Sequence, residues 1–180
     1  NMLPGVVNGV FNKEDWLKRQ KHVVHPDGSV DIHGSVDFRT YDLDEIPFNF
    51  DHVFGNFIMH SNPRLKSLKG APKVVYGSFD IADCGIESLE HLPRLINGNL
   101  NAVRNNITSL RHLRKIREYI FLGYNPITSL EYLPDDINPG FIISIGSFSK
   151  EDIIKYLRDI TYIKTLKADD ELPDITSIFD

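Results

Sequence analysis

Residues 79–86 of this 180-residue chain read FDIADCGI, and the same pattern returns as LNAVRNNI at 100–107 and IFLGYNPI at 120–127. The shared form is apolar-x-apolar-x-x-(Asn/Cys)-x-apolar, and it recurs every 20 to 22 residues. Three looser copies begin at Phe57, Val36 and Phe141. Self-similarity at this period is the signature of a solenoid, in which no single repeat can bury its apolar face alone. The pattern therefore predicts a stacked architecture and a binding surface rather than a reaction.

Each copy of the repeat predicts one short strand followed by an inward-turning polar residue. The two alternating apolar residues are expected to point into the core, as the period of a strand requires. The Asn or Cys that follows is expected to bond the backbone of the neighbouring coil. This predicted ladder consists of Tyr41, Asn62, Cys84, Asn105 and Asn125. Glycines that precede the strands, such as Gly55 and Gly77, are expected to supply a left-handed backbone at the turn.

Several phrases of the repeat resemble known families. Residues 86–93 (IESLEHLP) and 105–110 (NNITSL) resemble the short, Leu-Pro-containing bacterial class of leucine-rich repeats. Three others resemble repeat proteins of large tailed bacteriophages: PDGSVD at 26–31, IPFNF at 46–50 and LKGAPKVVYG at 68–77. This likeness implies a leucine-rich-repeat fold and an accessory protein that binds a host or phage component. The ubiquitin-ligase activity of some bacterial relatives is not carried over, because the chain has no room for that catalytic domain.

The return path between strands is predicted to be mostly extended. Prolines occur four residues after the second Leu of three coils, at Pro72, Pro93 and Pro134, and disfavour a regular helix there. The fourth repeat lacks this proline, so a helical turn is expected within residues 113–118.

Helical caps are predicted at both ends. Residues 12–18 predict a short helix with Asn12 as its N-cap, and residues 149–160 predict another with Ile153, Ile154 and Leu157 facing the core. The predicted fold is thus an α/β leucine-rich-repeat solenoid with a parallel concave sheet, an extended convex side and helical caps. The predicted organisation is an N-terminal cap over 1–25, the solenoid over 26–148, and a C-terminal cap over 149–180. The last of these ends in a loosely attached acidic tail with Asp169, Asp170, Glu171 and Asp174.

Composition points to a soluble cytoplasmic protein. The net charge of -5 argues against broad, non-specific binding to nucleic acids. The single cysteine excludes an internal disulfide and suits a reducing compartment. No apolar run is long enough to span a membrane, and no leader sequence is recognisable. The expected compartment is the cytoplasm, which is that of the host if the chain is phage-encoded.

No enzymatic activity, cofactor or metal site is predicted. Cys84 occupies a ladder position, where an inward-facing thiol is structural rather than nucleophilic. Five residues near the N-terminus are candidate metal ligands, with a polar loop as the alternative interpretation: His22, His25, His33, Asp27 and Asp31. Their spacing matches no recognised zinc pattern, which favours the loop. Phosphate-binding loops, G-x-S-x-G and H-E-x-x-H are also missing from the sequence.

The outward-pointing neighbours of the core residues are the predicted partner-binding surface. They are Asp37, Arg39, Ile58, His60, Asp80, Asp83, Asn101, Arg104, Tyr119, Phe121, Tyr124 and Ile142. The last four form a predicted aromatic-apolar patch, where interface hot spots are expected, unless the C-terminal helix covers them. Asp80, Asp83 and Arg104 are expected to tune specificity. Six strands would present only about 300 Å², against about 800 Å² per partner in an ordinary interface.

The function predicted first is therefore a protein-binding module, such as a phage factor that inhibits or redirects a host defence protein. Two alternatives stay open. The basic run Arg111–Arg117 predicts contact with nucleic acid, although a solvated face explains it more simply. A structural or self-assembling role is the other alternative, since the predicted face is small for a protein partner.

Overall fold

The chain is an α/β solenoid of about six turns with stacked parallel sheets and a C-terminal helix. This architecture is seen in a computed structural model, which describes residues 3–170. The elements in chain order are β1 (Val6–Val7), β2 (Val10–Phe11), α1 (Lys13–Lys18), β3 (His22–Val24), β4 (Val30–Ile32), β5 (Val36–Asp37), β6 (Phe50–Val53), β7 (Phe57–Ile58), β8 (Val74–Val75), β9 (Phe79–Asp80), β10 (Leu95–Ile96), β11 (Leu100–Asn101), β12 (Ile120–Gly123), a 3₁₀ turn (Pro139–Phe141), β13 (Ile142–Gly146) and α2 (Lys150–Asp170).

Two sheets are built from strands of successive coils. The first has the order β3-β4-β6-β8-β10, and the second, which continues to the last coil, has the order β5-β7-β9-β11-β12-β13. Within these two sheets all pairs are parallel except the antiparallel hairpin β3–β4. Strands β1 and β2 form a separate antiparallel pair. The second sheet is the one predicted from the repeats. The return path, predicted to be extended, carries the additional strands of the first sheet.

The core is a column of apolar side chains supplied by equivalent positions of successive coils. Phe57 and Phe79 are fully buried, and their rings stack at 5.3 Å between centroids. At the N-terminal end Trp16 of α1 is 2% exposed and packs on Phe38 at 4.6 Å. Burial of each such side chain stabilises the fold by about 1.5–3 kcal/mol, so the stacking of coils is a substantial source of stability.

The glycines at the corner between the two sheets have a different role from the predicted one. Gly55, Gly77 and Gly98 are not among the glycines with a left-handed backbone. A Cβ on Gly77 would lie 2.8 Å from the carbonyl oxygen of Gly55, and a Cβ on Gly98 would lie 2.9 Å from that of Gly77. These positions exclude a side chain because the backbones of stacked coils approach closely there.

The last strand begins one residue later than the repeat pattern predicts. Ile120 pairs with Ile142 rather than with Phe141, and Phe121 then pairs with Ser144, so Ile143 is an extra residue in β13. Because side chains alternate along a strand, the one-residue shift turns Ile142 inward, and the bulge leaves Ile143 outside the regular pairing. Ile142 is therefore fully buried, and its prediction as an outward partner-binding residue is wrong. Ile143, predicted to be inward, is 46% exposed.

Two helical predictions also need correction. Residues 113–118 are irregular, with a bend at Arg117 and Glu118, and form no helical turn. Helix α2 begins as predicted but continues to Asp170, and its Ile154 is 40% exposed instead of facing the core. Ile153 and Leu157 are buried. The acidic residues Glu171 and Asp174 lie outside the described residues. Within residues 3–170, neither helix is both long and apolar enough to cross a bilayer.

Candidate functional site

The asparagine ladder links successive coils through buried amide groups. The Nδ2 of Asn62 donates to the carbonyl oxygen of Phe38 in the preceding coil at 2.9 Å, and to a carbonyl of its own coil at 2.7 Å. Its Oδ1 accepts the backbone N–H of Leu43 at 2.8 Å. Asn105 and Asn125 make the equivalent three kinds of bond. The three side chains therefore satisfy backbone groups that the end of each strand leaves unpaired.

Two members of the predicted ladder bond differently. The Sγ of Cys84 lies 3.2 Å from the carbonyl oxygen of Met59, to which it donates a weak bond. Burial raises the pKa of this thiol to about 11, which disfavours the reactive thiolate. The hydroxyl of Tyr41 instead donates to the carbonyl oxygen of Pro4 at 2.6 Å, which connects the first coil to the N-terminal segment.

A continuous row of side chains crosses the outer face of the second sheet; we call it the central row. It consists of His60, Asp80, Asp83, Arg104 and Tyr124. The ring nitrogens of His60 lie 3.7 Å from carboxylate oxygens of both Asp80 and Asp83. Nε of Arg104 donates to Asp83 at 2.7 Å, and its guanidinium lies 5.6 Å from the centre of the Tyr124 ring. The structure thus brings five predicted residues from four coils into contact.

The remaining predicted residues of this face lie in the first coils and between the members of the row. Arg39 donates to Asp37 at 2.9 Å within one coil. Burial of Asp37 opposes its ionisation, but the bonds from Arg39 outweigh it and lower the pKa of the carboxyl group. Ile58 and Asn101 are half-buried on their strands. This end of the face is therefore polar and internally paired.

The aromatic patch, formed by Tyr119, Phe121 and Tyr124, occupies the C-terminal end of the same face. Tyr119 is 43% exposed and Tyr124 is 77% exposed, while Phe121 is half-buried. Helix α2 therefore leaves the patch open to solvent, in contrast to the alternative considered from the sequence.

Sequence reasoning missed two residues that extend the patch. Phe141 contacts the ring of Tyr119 edge to face at 5.4 Å between centroids. Ile143 is exposed in place of the buried Ile142. The repeat pattern predicts both in the core, because the apolar sequence does not show where β13 begins or that it holds an extra residue.

The basic run is exposed on the opposite side of the repeat. Its exposed cations are Arg111, Arg114, Lys115 and Arg117. Lys115 lies 3.8 Å from Asp136. Arg114 lines a groove of about 550 Å³ together with three cations from other coils, Lys69, Lys73 and Arg94. The groove therefore collects positive charge that is dispersed in the sequence.

The possible metal ligands weighed from the sequence separate into two groups. His25 and Asp31 meet Asp51 and His52 of the next coil on the outer face of the first sheet. The other three are engaged elsewhere: His22 with the carbonyl of Gln20, Asp27 with Ser29, and His33 with the ring of Phe54. Asp51 and His52 were not considered, because they lie about one repeat further along the chain.

Comparison with known proteins adds no relative: no family model, curated protein or solved structure matches this chain.

Proposed function

We propose that this protein is a non-enzymatic binding module of the leucine-rich-repeat type that holds a protein partner on the outer face of the second sheet. The observation that carries the proposal is the continuity of the central row with the exposed aromatic patch. Paired charges give orientation and specificity, and exposed aromatic rings give affinity where a partner can desolvate them. Helices α1 and α2 are proposed to close the two ends of the solenoid core.

The shape of this face suggests how a partner would be held. Tyr124 belongs to both features, because its ring contacts the Arg104 guanidinium while most of its surface is open. A partner that covers Tyr124 would also desolvate the Arg104–Asp83 ion pair, which strengthens its electrostatic contribution. The face is smaller than an ordinary interface, so a peptide segment or an additional contact through Phe141 and Ile143 fits its size.

The resemblance to phage repeat proteins extends this proposal to a class of partner. A phage accessory factor would occupy a surface of a host protein, such as a defence component, and thereby inhibit or redirect it. The host cytoplasm is the proposed place of action.

The first experiment compares protein capture from bacterial lysate by three immobilised variants. They are the wild type, a Tyr119→Ala/Phe121→Ala/Tyr124→Ala variant, and a Phe54→Ala/Tyr76→Ala control. The control removes rings of similar exposure, 43% and 44%, that stack on each other away from the patch. A protein captured by the wild type and the control, but not by the patch variant, supports the proposal. Equal capture by all three variants contradicts it.

A purified partner then permits a quantitative test. Phe121→Ala is expected to weaken binding by about 1–3 kcal/mol, which is the range of an interface anchor. Tyr132→Ala is the matched control, because Tyr132 is 52% exposed and lies outside the second sheet. An unchanged dissociation constant for Phe121→Ala removes this residue from the interface.

Nucleic-acid binding is the second candidate, and the shared basic groove favours it. Four cations from three coils line one depression, although Asp27 also lines it. Binding through these cations should weaken steeply as salt rises, because phosphate contacts release counterions. Fluorescence anisotropy with labelled single-stranded DNA and RNA at low salt tests it, with Arg94→Ala/Arg114→Ala as the variant. A wild type that binds neither probe excludes this function.

A further inference from the structure

A second polar cluster lies on the outer face of the first sheet, far in sequence from the aromatic patch. We call it the His–Asp cluster, and its members are His25, Asp31, Asp51 and His52. One donor atom from each residue lies within 4.8 Å of the other three. The side chains are only partly accessible, with exposures of 32%, 12%, 22% and 30% in that order. The four donors therefore converge on one small volume near the surface.

The backbone explains why four such side chains meet. His25 directly follows the strand β3, and its N–H donates to the carbonyl oxygen of Ser29 across the β3–β4 turn at 2.8 Å. Asp31 lies in β4, which pairs with β6 through a register shift between Val30 and Ile32. A bulge of this kind places two residues of one strand opposite one residue of its partner. Asp51 and His52 therefore both face outward beside Asp31, while the flanking Phe50 and Val53 are buried.

The distances between donors are those of a metal coordination shell. Nε2 of His25 lies 2.9 Å from Oδ1 of Asp31 and 3.7 Å from Oδ2 of Asp51. Nδ1 of His52 lies 3.1 Å and 3.5 Å from the same two oxygens. Ligands bound tetrahedrally to zinc at about 2.0–2.1 Å are separated by about 3.3–3.4 Å. Four of the six separations thus lie within about half an ångström of the tetrahedral value, and the other two are below 4.8 Å.

Hydrogen bonding within the cluster joins His52 to Asp31 at 3.1 Å but leaves His25 without a well-aligned bond. Nε2 of His25 is buried from solvent and has no partner with hydrogen-bond geometry, despite its short distance to Asp31. A buried polar nitrogen without a partner is costly unless something binds it. Oδ1 of Asp31 also accepts the backbone N–H of His52 at 3.0 Å, which holds this carboxylate in place.

We propose that His25, Asp31, Asp51 and His52 bind one divalent transition-metal ion, with Zn²⁺ as the best fit. Imidazole nitrogens and carboxylate oxygens are both zinc ligands, and two neutral imidazoles with two carboxylates neutralise its charge. Four protein donors leave no open position, so the ion is structural. It ties the β3–β4 hairpin to the second coil at the open end of the first sheet. Two further charged residues lie nearby, Asp27 and Lys73, and their opposite charges leave the net charge around the ion unchanged.

The test is zinc titration of chelator-treated protein by isothermal calorimetry, together with its melting temperature. The wild type is expected to bind one equivalent, and zinc at a hundredfold excess over the dissociation constant should raise the melting temperature by roughly 5–10 °C. His52→Gln and Asp51→Asn should each weaken binding at least tenfold. His22→Gln is the matched control, because His22 lies on the same hairpin but its ring nitrogen contacts the carbonyl oxygen of Gln20 at 2.8 Å instead of the cluster.

Two results would overturn the proposal. One is a wild type that shows neither binding heat nor a zinc-dependent melting temperature. The other is a His52→Gln variant that binds zinc as tightly as the wild type while its circular dichroism shows a native fold. Cobalt substitution tests the geometry: the intense visible absorption of tetrahedral Co²⁺ is expected in the wild type and lost in Asp51→Asn. Weak absorption typical of octahedral Co²⁺ in the wild type rejects the four-ligand site.

Discussion

Replacement of Asn105 by alanine tests whether the ladder holds the coils together. The Oδ1 of Asn105 accepts the N–H of Ile86 at 3.0 Å, and its Nδ2 donates to the carbonyl oxygens of Ile81 at 2.9 Å, Ala102 at 3.1 Å and Val103 at 3.3 Å. The carbonyl of Ala102 retains the Nδ2 of Asn125 at 2.9 Å, and that of Val103 retains the N–H of Asp83 at 3.0 Å. The substitution therefore removes four bonds but leaves only the groups of Ile86 and Ile81 without their ladder partner.

The expected loss follows from these contacts. Each buried hydrogen bond contributes about 1 kcal/mol net, and a buried group left unsatisfied costs about 1–3 kcal/mol. With two such groups, the unfolding free energy should fall by about 2–6 kcal/mol. For a chain of this size, that corresponds to a fall in melting temperature of roughly 4–24 °C. Asn105→Cys should be intermediate, because Cys84 shows that a thiol can donate one weak bond at an equivalent position.

Urea denaturation followed by circular dichroism and by tryptophan fluorescence measures this loss. The chain has one tryptophan, Trp16, which is buried beside the first coils and so reports on the N-terminal end. Coincident midpoints from the two signals would show that the solenoid unfolds as one unit. Asn106→Ala is the control, because Asn106 is adjacent in sequence but exposed. If Asn105→Ala unfolds within about 0.5 kcal/mol of this control, the ladder does not stabilise the fold as argued.

Three further measurements test other parts of the structure. Gly77→Ala should destabilise the fold by about 1–3 kcal/mol, because its Cβ would meet the backbone of the preceding coil. Gly34→Ala, whose Cβ would have nothing within 4 Å, should change the stability by less than about 1 kcal/mol. Equal effects of the two substitutions in urea denaturation would contradict the close approach of the coils. If α1 closes the core, Trp16→Ala should lower the unfolding free energy by about 3–5 kcal/mol, and Lys18→Ala should lower it by less than about 0.5 kcal/mol. Equal melting temperatures of the two variants would contradict the proposed cap. The thiol of Cys84, with its pKa raised to about 11, should hold roughly one thiolate in a thousand at pH 8 and react with a disulfide reagent only after denaturation; rapid reaction of the native protein would show that the thiol is accessible.

The stacked core and the ladder were predictable because the repeat itself encodes them. The inward positions of β7, β9, β11 and β12 follow the alternation of apolar residues, and Asn105 and Asn125 recur at a fixed offset from it. The role of Gly77 could not be derived in the same way. Glycine is favoured both by a left-handed turn and by a close approach of two backbones. The presence of glycine in the sequence therefore does not show which of the two reasons applies.

The extra residue of β13 could not be predicted from the apolar pattern, because two registers fit the sequence almost equally well. Residues 141–145 read FIISI, so an inward strand can be placed on Phe141 and Ile143 or on Ile142 and Ile145 with almost equal apolar content. Only the pairing with β12 distinguishes the two registers. The predicted register exchanges the buried Ile142 with the exposed Ile143, because a shift of one residue moves a side chain to the other face of the strand.

The positions that form sites in this chain are neighbours across coils rather than along the sequence. Strands of adjacent coils lie about 4.8 Å apart, so residues roughly one repeat apart touch while residues a few positions apart often do not. Arg104 reaches Asp83, and His52 reaches Asp31, each across 21 residues. Ligand motifs defined by short spacings therefore miss the His–Asp cluster. Its distinguishing mark is the bulge in the first sheet, where two polar residues face outward together between buried ones.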